Sequence, residues 1–366
     1  MRKSVIPCIL VGTFLSAACA TTAPPQAPPI ELNDAVQAPR VRTLLRILAA
    51  DSMEGRQAAS PGYARAAKFV AEVMQRIGLV PAGDSGYFQR VAAVRNAQGR
   101  LVVLPSFEAW DTIPEAQRVL DVNVVGLIPG SDPEFREEVV VVGAHLDHFG
   151  ITGRPGARCT PIGADSICNG ADDDASGVVT VLESARLLAT GAKPRRTVVF
   201  IAFAGEEGGP SGSRWYIEHP VRPIAKTVAQ LQIEMVARPD SLAGGPGKAW
   251  LTGYERSTMG EMLAAAGIPV VADPRPALNF FRRSDNYRFA LAGIPSHGFS
   301  SFGMHTDYHN AGDGAEKADW DHMATVILGA AKAVRLLADG PRPEWKPGGQ
   351  PLPTPPPPSP PSAVRP

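Results

Sequence analysis

Apolar positions return along the chain in two rhythms, and the change from one to the other marks out the elements. Tyr63, Ala66, Ala67, Val70, Val73, Met74 and Ile77 recur at helical spacing, opened by Ser60 as cap and Pro61 in the first turn, and stopped by Gly78. An earlier helix is predicted near 41–50. Strands are predicted at 88–94, 101–104, 122–128 ("VNVVGLI") and 138–144 ("EVVVVGA"). The last is apolar almost throughout, as a strand covered on both faces must be. Further on come helix 175–190, strand 197–204 ("TVVFIAFA"), a helix near 211–218, and strands 228–236 and 249–253. Helices 257–266 and 285–292, strand 294–299 and helix 319–338 follow. This alternation predicts an α/β three-layer sandwich with a mixed, mainly parallel central sheet, the strands near 88–128 pairing antiparallel at one edge. No internal repeat is visible.

The two ends do not share these rhythms. Arg2 and Lys3, the apolar run Val5–Leu15 and the small residues Ser16-Ala17-Ala18 before Cys19 make residues 1–19 a bacterial export signal. A cysteine after small residues matches a lipoprotein cleavage site, with Cys19 as the lipid-bearing terminus and the membrane attachment; the alternative is ordinary cleavage and free secretion. Either way the mature chain works outside the cytoplasm, as a periplasmic or outer-membrane-anchored lipoprotein or as a secreted protein. Residues 20–40, rich in Pro, Ala and Thr, read as a flexible tether, and 341–366, ending "PLPTPPPPSPPSAVRP", as a disordered Pro-rich tail. The folded domain is thus placed at 41–340.

Charge and cysteines narrow the partners. Lys plus Arg and Asp plus Glu both number 36, so the net charge is zero and gives no electrostatic case for nucleic acid. A peptide or small-molecule ligand remains open, and no protein partner is indicated. Cys8 leaves with the signal. Cys159 and Cys168 remain, in a Gly- and Pro-rich loop, and predict a disulfide in an oxidising compartment. As a metal-ligand pair they would lack further cysteines to complete a site.

Polar groups gather where the buried strands end, which is where open α/β sheets place their sites. Strand 138–144 runs into His145-Leu146-Asp147-His148, strand 197–204 into Gly205-Glu206-Glu207-Gly208, and strand 228–233 into Glu234. A turn carries Asp172-Asp173-Asp174, and His305-Thr306-Asp307-Tyr308-His309 follows strand 294–299. Taken singly, each has a plain explanation: a loop histidine, a solvated Glu pair, an Asp helix cap. Together, ligand-type residues at the end of nearly every buried strand suit zinc with an open coordination position. Two cations sharing one aspartate would also relieve the repulsion in the Asp triplet, and a free neighbouring glutamate would take a proton from water. His-Glu-x-x-His, Gly-x-Ser-x-Gly and P-loop patterns are absent, which excludes thermolysin-like, serine-hydrolase and nucleotide readings.

The ordered segments "GAHLDH", "NGADDDASG", "FAGEEGGPSGS", "LQIEMVARPD", "SDNYRFALAGIP" and "HTDYHNAGD" resemble the co-catalytic zinc exopeptidases, a family that includes secreted two-zinc bacterial aminopeptidases, glutamate carboxypeptidase and glutaminyl cyclase. "DSMEGRQAASPGYARAAKFV" and "GLVPAGDSGYFQRV" resemble its N-terminal segment, so the likeness covers about 40–340. The resemblance implies a zinc exopeptidase catalytic domain in compact form, without an inserted protease-associated domain. It implies two zinc ions, with His145 and Glu234 on one, Glu207 and His309 on the other, and Asp173 bridging. It implies Glu206 as general base, Asp147 holding the His145 ring, and Tyr308 as an oxyanion-stabilising phenol or a packing aromatic. Glu234 departs from the family's usual Asp. The implied activity is aminopeptidase cleavage of peptides. Alternatives are a carboxypeptidase or dipeptidase of the same family, a glutaminyl cyclase-like transferase, and a non-catalytic binding protein on the same fold.

Overall fold

A computed structural model describes residues 1, 30, 32–97 and 99–352. Helix α1 (Ala38–Leu48) turns Val41, Leu44, Leu45 and Leu48 inward. Helix α2 (Pro61–Ile77) starts where the Ser60 hydroxyl accepts from the Tyr63 amide, and ends at Gly78, whose φ of 86° a side chain would resist. Strands β1 (Val80–Pro81), β2 (Phe88–Arg95) and β3 (Leu101–Val103), helix α3 (Phe107–Asp111) and strand β4 (Arg118–Ile128) follow. Next come β5 (Val139–His145), the small ribbon β6 (Gly150–Ile151) and β7 (Ile167–Cys168), α4 (Gly177–Ala189), β8 (Thr197–Phe203), α5 (Ser211–Glu218) and β9 (Thr227–Glu234). The order closes with β10 (Ala249–Leu251), α6 (Met259–Ala265), β11 (Val270–Ala272), α7 (Asn286–Leu291), β12 (Ser296–Ser300) and α8 (Trp320–Asp339).

One sheet runs in the order β11-β10-β12-β9-β5-β8-β4-β2-β3, with β1 also paired to β4. The centre, β12-β9-β5-β8, is parallel, while β4, β2 and β3 add antiparallel strands at one edge. After β5 the chain first places β8 on one side and later β9 on the other. The strand order therefore reverses at β5, and a crevice opens at its carboxyl end. His145 is the last residue of β5.

Period-two alternation splits the central strands between two cores. Val140, Val142 and Ala144 of β5 and Val198, Phe200 and Ala202 of β8 face the layer of α1, α2, α4 and α8. Val139 and Val141 of β5 and Val199, Ile201 and Phe203 of β8 join Tyr216 and Phe289, from α5 and α7, on the other face. Each fully buried Val or Phe is worth roughly 1.5–3 kcal/mol. The three-layer sandwich expected from the sequence is the one observed. The elements missed by periodicity are β1, β6, β7, α3 and β11, each five residues or fewer and too short to show a period.

The edges of the folded region differ from expectation. Beyond residue 340 the chain keeps packing: the Arg342 guanidinium pairs with Glu138, Trp345 Nε1 donates to the Gly293 carbonyl at 2.9 Å, and Pro351 is buried. Within the expected tether, Asp34 pairs with Arg186, and the Ala35 carbonyl accepts from the same guanidinium at 2.7 Å. Pro-rich composition hid both, because these contacts are made by single side chains rather than by a periodic face. The export signal beyond Met1, Cys19, residues 20–29 and the run from 353 onward lie outside the described residues. Among the described residues no helix is long and apolar enough to cross a membrane.

Candidate metal centre

Four parallel strands and one loop deliver the site. His145 leaves β5, Glu206 and Glu207 follow β8, Glu234 ends β9, and the loop after β12 carries His305, Tyr308 and His309. The Asp triplet sits between β7 and α4, in an irregular turn whose side chains are all buried. The Asp173–Asp174 peptide is cis. Cys159 and Cys168 form the disulfide that the sequence suggested. It steadies the segment around Thr160, which bridges to Asn310; the Thr160 amide donates to the His309 carbonyl, and the Ala311 amide to the Thr160 carbonyl.

Asp173 stands at the centre. Its Oδ1 lies 3.2 Å from His145 Nε2, which in turn is 3.6 Å from Glu234 Oε2. Its Oδ2 lies 3.2 Å from His309 Nε2, which is 3.7 Å from Glu207 Oε2. One carboxylate thus faces two ligand pairs with different oxygens. In a tetrahedral zinc site with bonds near 2.0–2.1 Å, neighbouring ligand atoms stand about 3.3 Å apart. The pairs here have that spacing, and the buried Asp173 Oδ2 and His309 Nε2 complete no hydrogen bond. The donor set therefore fits two zinc ions.

The neighbouring residues divide by what they already bond. His145, Asp174 and Glu234 can also bring ligand atoms within 4.8 Å of one another, as can His148, Asp173 and Glu207. The Asp174 carboxylate, however, is taken by backbone amides: Oδ2 accepts from His145, and Oδ1 from Gly177 and Met235. His148 is buried, stacks on Phe149, and has Nδ1 2.9 Å from Glu207 Oε1, where it orients that carboxylate. Asp172 accepts from the Ala237 amide at 2.7 Å and faces His305 Nε2 at 2.9 Å. The flanks of the triplet thus anchor the turn, and the middle residue is left to face the imidazoles.

Asp147 reaches the His145 ring through its backbone and not its side chain. The His145 ring is held by the Asp147 carbonyl, 3.0 Å from Nδ1, while the Asp147 carboxylate is 3.8 Å away. That carboxylate instead accepts the Glu206 amide at 2.9 Å and the Glu207 amide at 3.2 Å. Its position at the strand end is legible in the chain, whereas the direction of its side chain is set by the fold. Tyr308 stacks on His309, packs against Phe302 and faces the cavity. Arg238 pairs with Asp307 and Asp313. The Ser284 hydroxyl donates to Glu234 Oε1.

Burial and mutual repulsion set the charges. Burial pushes His145 down, but the Glu234 charge and the Asp173 hydrogen bond overcome it and hold the imidazole well above its ordinary value. Burial pushes Asp173 up, yet the His145 and His309 imidazoles beside it hold it well below the carboxylate range. Glu206 and Glu207 are raised, first by burial and then by neighbouring carboxylates such as Glu234 and Asp173. Burial takes His148 down to about 3, so it is neutral.

Two residues were not singled out from the sequence. Asp313 accepts the amides of Asp172 and Asp173. Arg56 is wholly buried beneath the Asp turn; burial lowers its pKa, and the charges of Asp173, Asp313, Asp147 and Asp174 oppose that shift. Both lie in segments quoted for the resemblance, "HTDYHNAGD" and "DSMEGRQ", where a lone charged residue beside glycine was the only local signal.

A cavity opens beside the cluster, walled by His145, Glu206 and Tyr308 on one side and by Trp250, Phe280 and Phe302 on the other. A buried imidazole–carboxylate cluster at the switch point of a three-layer α/β sheet, opening on such a cavity, defines the metallohydrolase class of site. Residues 123–334 match the model of Peptidase family M28, and the chain belongs to that family. It is 27% identical over 243 residues to leucine aminopeptidase 1 of Sclerotinia sclerotiorum, covering 57% of this chain and 54% of that protein. It is 28% identical over 274 residues to a probable zinc metalloprotease of Pyricularia oryzae, covering 60% and 50%. The chain thus spans about half the length of the curated relatives it matches. Among solved structures it resembles an aminopeptidase from Aneurinibacillus sp. (TM-score 0.58, 16% identity, covering 84% of this chain and 95% of that one). It also resembles a zinc aminopeptidase from Bacillus subtilis (TM-score 0.55, 15% identity, covering 81% and 94%). At these identities the structural likeness speaks for the fold.

Proposed function

We propose that the protein is a two-zinc aminopeptidase that hydrolyses the first peptide bond of a peptide substrate. The observation that carries this is the Asp173 carboxylate, whose two oxygens each face a separate imidazole–carboxylate pair. His145 and Glu234 would hold one ion, His309 and Glu207 the other, with Asp173 between them. When bound, the ions supply Lewis-acid polarisation of the substrate carbonyl and compensation for the carboxylate cluster.

The chain's own residues do the rest. Glu206 lines the cavity, its carboxylate makes no hydrogen bond among the described residues, and its amide is fixed by Asp147. It would take a proton from the attacking water and pass it to the leaving amine. Tyr308 has its phenol neutral, because burial raises its pKa, and donates to the developing oxyanion. Glu234, with Ser284 on its Oε1, attracts the substrate's N-terminal ammonium. Trp250, Phe280, Phe302 and Met235 offer the first side chain an apolar enclosure.

A second assignment, dipeptidase or carboxypeptidase, is favoured by Arg283. It lines the same cavity over the Phe280 ring, and among the described residues it has no carboxylate within ion-pair distance. A digest of a peptide mixture followed by mass spectrometry separates the two. Stepwise N-terminal trimming, abolished by a chelator and by Glu206→Gln, is the expected result; C-terminal trimming, or cleavage of dipeptides alone, selects the second assignment. The disulfide supports an oxidising compartment and hence export through residues 1–19. A lipid on Cys19, read by mass spectrometry of the mature N-terminus, distinguishes the anchored form from the secreted one.

A further inference from the structure

Arg56 has no role in the chemistry described so far, yet it is fully buried under the site. Its Nε donates to the Leu146 carbonyl at 2.8 Å, and Nη1 to Leu48 at 2.7 Å and Asn169 at 2.6 Å. Nη2 donates to Gly170 at 2.9 Å and reaches the Asp173 carbonyl at 3.5 Å. Five N–H donors in one rigid plane thus meet five carbonyls, and no carboxylate lies within ion-pair distance of the guanidinium among the described residues. The carbonyls come from three places: the end of α1, the residue after His145, and both ends of the turn that leads to Asp173.

The backbone delivers the guanidinium at a cost. Glu54, Gly55 and Arg56 have φ of 53°, 61° and 45°, and a left-handed non-glycine residue costs on the order of 1 kcal/mol or more. Gly55 is wedged under the β6–β7 ribbon, where a Cβ would stand 2.5 Å from the Cys168 carbonyl. The Arg56 carbonyl accepts the His148 amide at 3.1 Å.

We propose that Arg56 is a positioning residue for the two-zinc centre, resting on that assignment of the site: its planar fork fixes the backbone of the Asp173 turn against the exit of β5, so that Asp173 meets His145 and His309 together. Without it the partly buried Asn169 carbonyl loses its guanidinium donor and the Gly170 carbonyl keeps only the Ala175 amide at 3.3 Å, so the turn that aims Asp173 must move to regain them. Lysine keeps the charge but has a flexible stem and no fork, so Arg56→Lys separates geometry from charge. Arg56→Met removes both.

The test uses the full chain, stripped by a chelator and titrated with zinc against a chromophoric competitor, with circular dichroism to establish folding. Wild type is expected to take two equivalents. Folded Arg56→Lys is expected to bind zinc about tenfold more weakly or worse, to show altered visible absorption with cobalt(II), and to lose kcat on leucine p-nitroanilide with little change in KM. A lower melting temperature with zinc affinities and kcat within about twofold of wild type overturns the proposal, since a purely structural arginine would do that. Wild type that takes up no zinc overturns the two-zinc assignment instead, whatever the variants do. If neither variant folds, nitrogen NMR of the wild type decides: slow rotation about the Arg56 Nε–Cζ bond, with and without zinc, is expected, and free rotation overturns the proposal.

Discussion

The contact between Asp147 and the Glu206-Glu207 backbone gives a sharp prediction for Asp147→Asn. The two oxygens accept two adjacent amides, at 2.9 and 3.2 Å, in a site where Asp147 is about 1% exposed. An asparagine retains one acceptor and turns a donor toward the other amide. One buried, charge-assisted hydrogen bond is lost, worth roughly 1.5–3 kcal/mol. At 1.4 kcal/mol per tenfold, a loss expressed wholly in the placement of Glu206 lowers kcat by roughly 10–100-fold. His145 keeps its partner, because the Asp147 carbonyl and not its side chain holds the ring. The assay is steady-state hydrolysis of leucine p-nitroanilide alongside elemental analysis. The expected outcome is a fall in kcat with both zinc ions retained. Loss of zinc with the His145 site emptied would instead mean that the Asp147 side chain works through the histidine. Unchanged kcat would mean that the amide contacts do not place the base.

Other perturbations read other parts of the structure. Asp121 on β4 is buried, and burial lifts its carboxyl from 3.8 to about 7. The folded state therefore holds that proton more tightly than the unfolded chain. Its contribution is fully present below about pH 4 and lost as pH rises through 7, up to roughly 4 kcal/mol before relaxation. Urea unfolding should show Asp121→Asn gaining on wild type over that window, and parallel pH profiles would count against it. Replacing Cys159 and Cys168 by serine should lower stability by about 2–3 kcal/mol through the nine-residue loop they close, and should weaken zinc retention by loosening the Thr160–His309 contacts. Arg238→Met leaves Asp313 without its cation while Asp313 still accepts the turn amides. Unfolding stability should fall by about 3 kcal/mol, and an unchanged urea midpoint would mean the pair carries no net stabilisation.

The sequence disclosed the fold where period and length were on its side. The continuous run of β5 and the capped α2 show their state and bounds within a residue or two, because each has a whole face to bury. The short β6–β7 ribbon escaped, since two residues have no period, and its importance lies in carrying the disulfide. At the site, residue types at strand ends could be read from the sequence because a parallel sheet sends its carboxyl ends to one edge. Directions could not. That Asp147 faces two amides and not an imidazole depends on how the loop after β8 folds back. That Arg56 reaches carbonyls up to 117 positions away depends on a left-handed turn that no local pattern announces. The packed stretch from 341 to 352 hid behind its proline content for a related reason: single anchors such as Trp345 hold it.

The central claim is that Asp173 joins two metal sites, with Asp172 and Asp174 anchoring the turn that carries it. Zinc stoichiometry of the purified wild type beside Asp173→Ala and Asp172→Ala tests it most directly. Two ions per chain in wild type, loss of both from Asp173→Ala, and retention by folded Asp172→Ala is the predicted pattern. A single ion in wild type, or equal loss from the two variants, would contradict it.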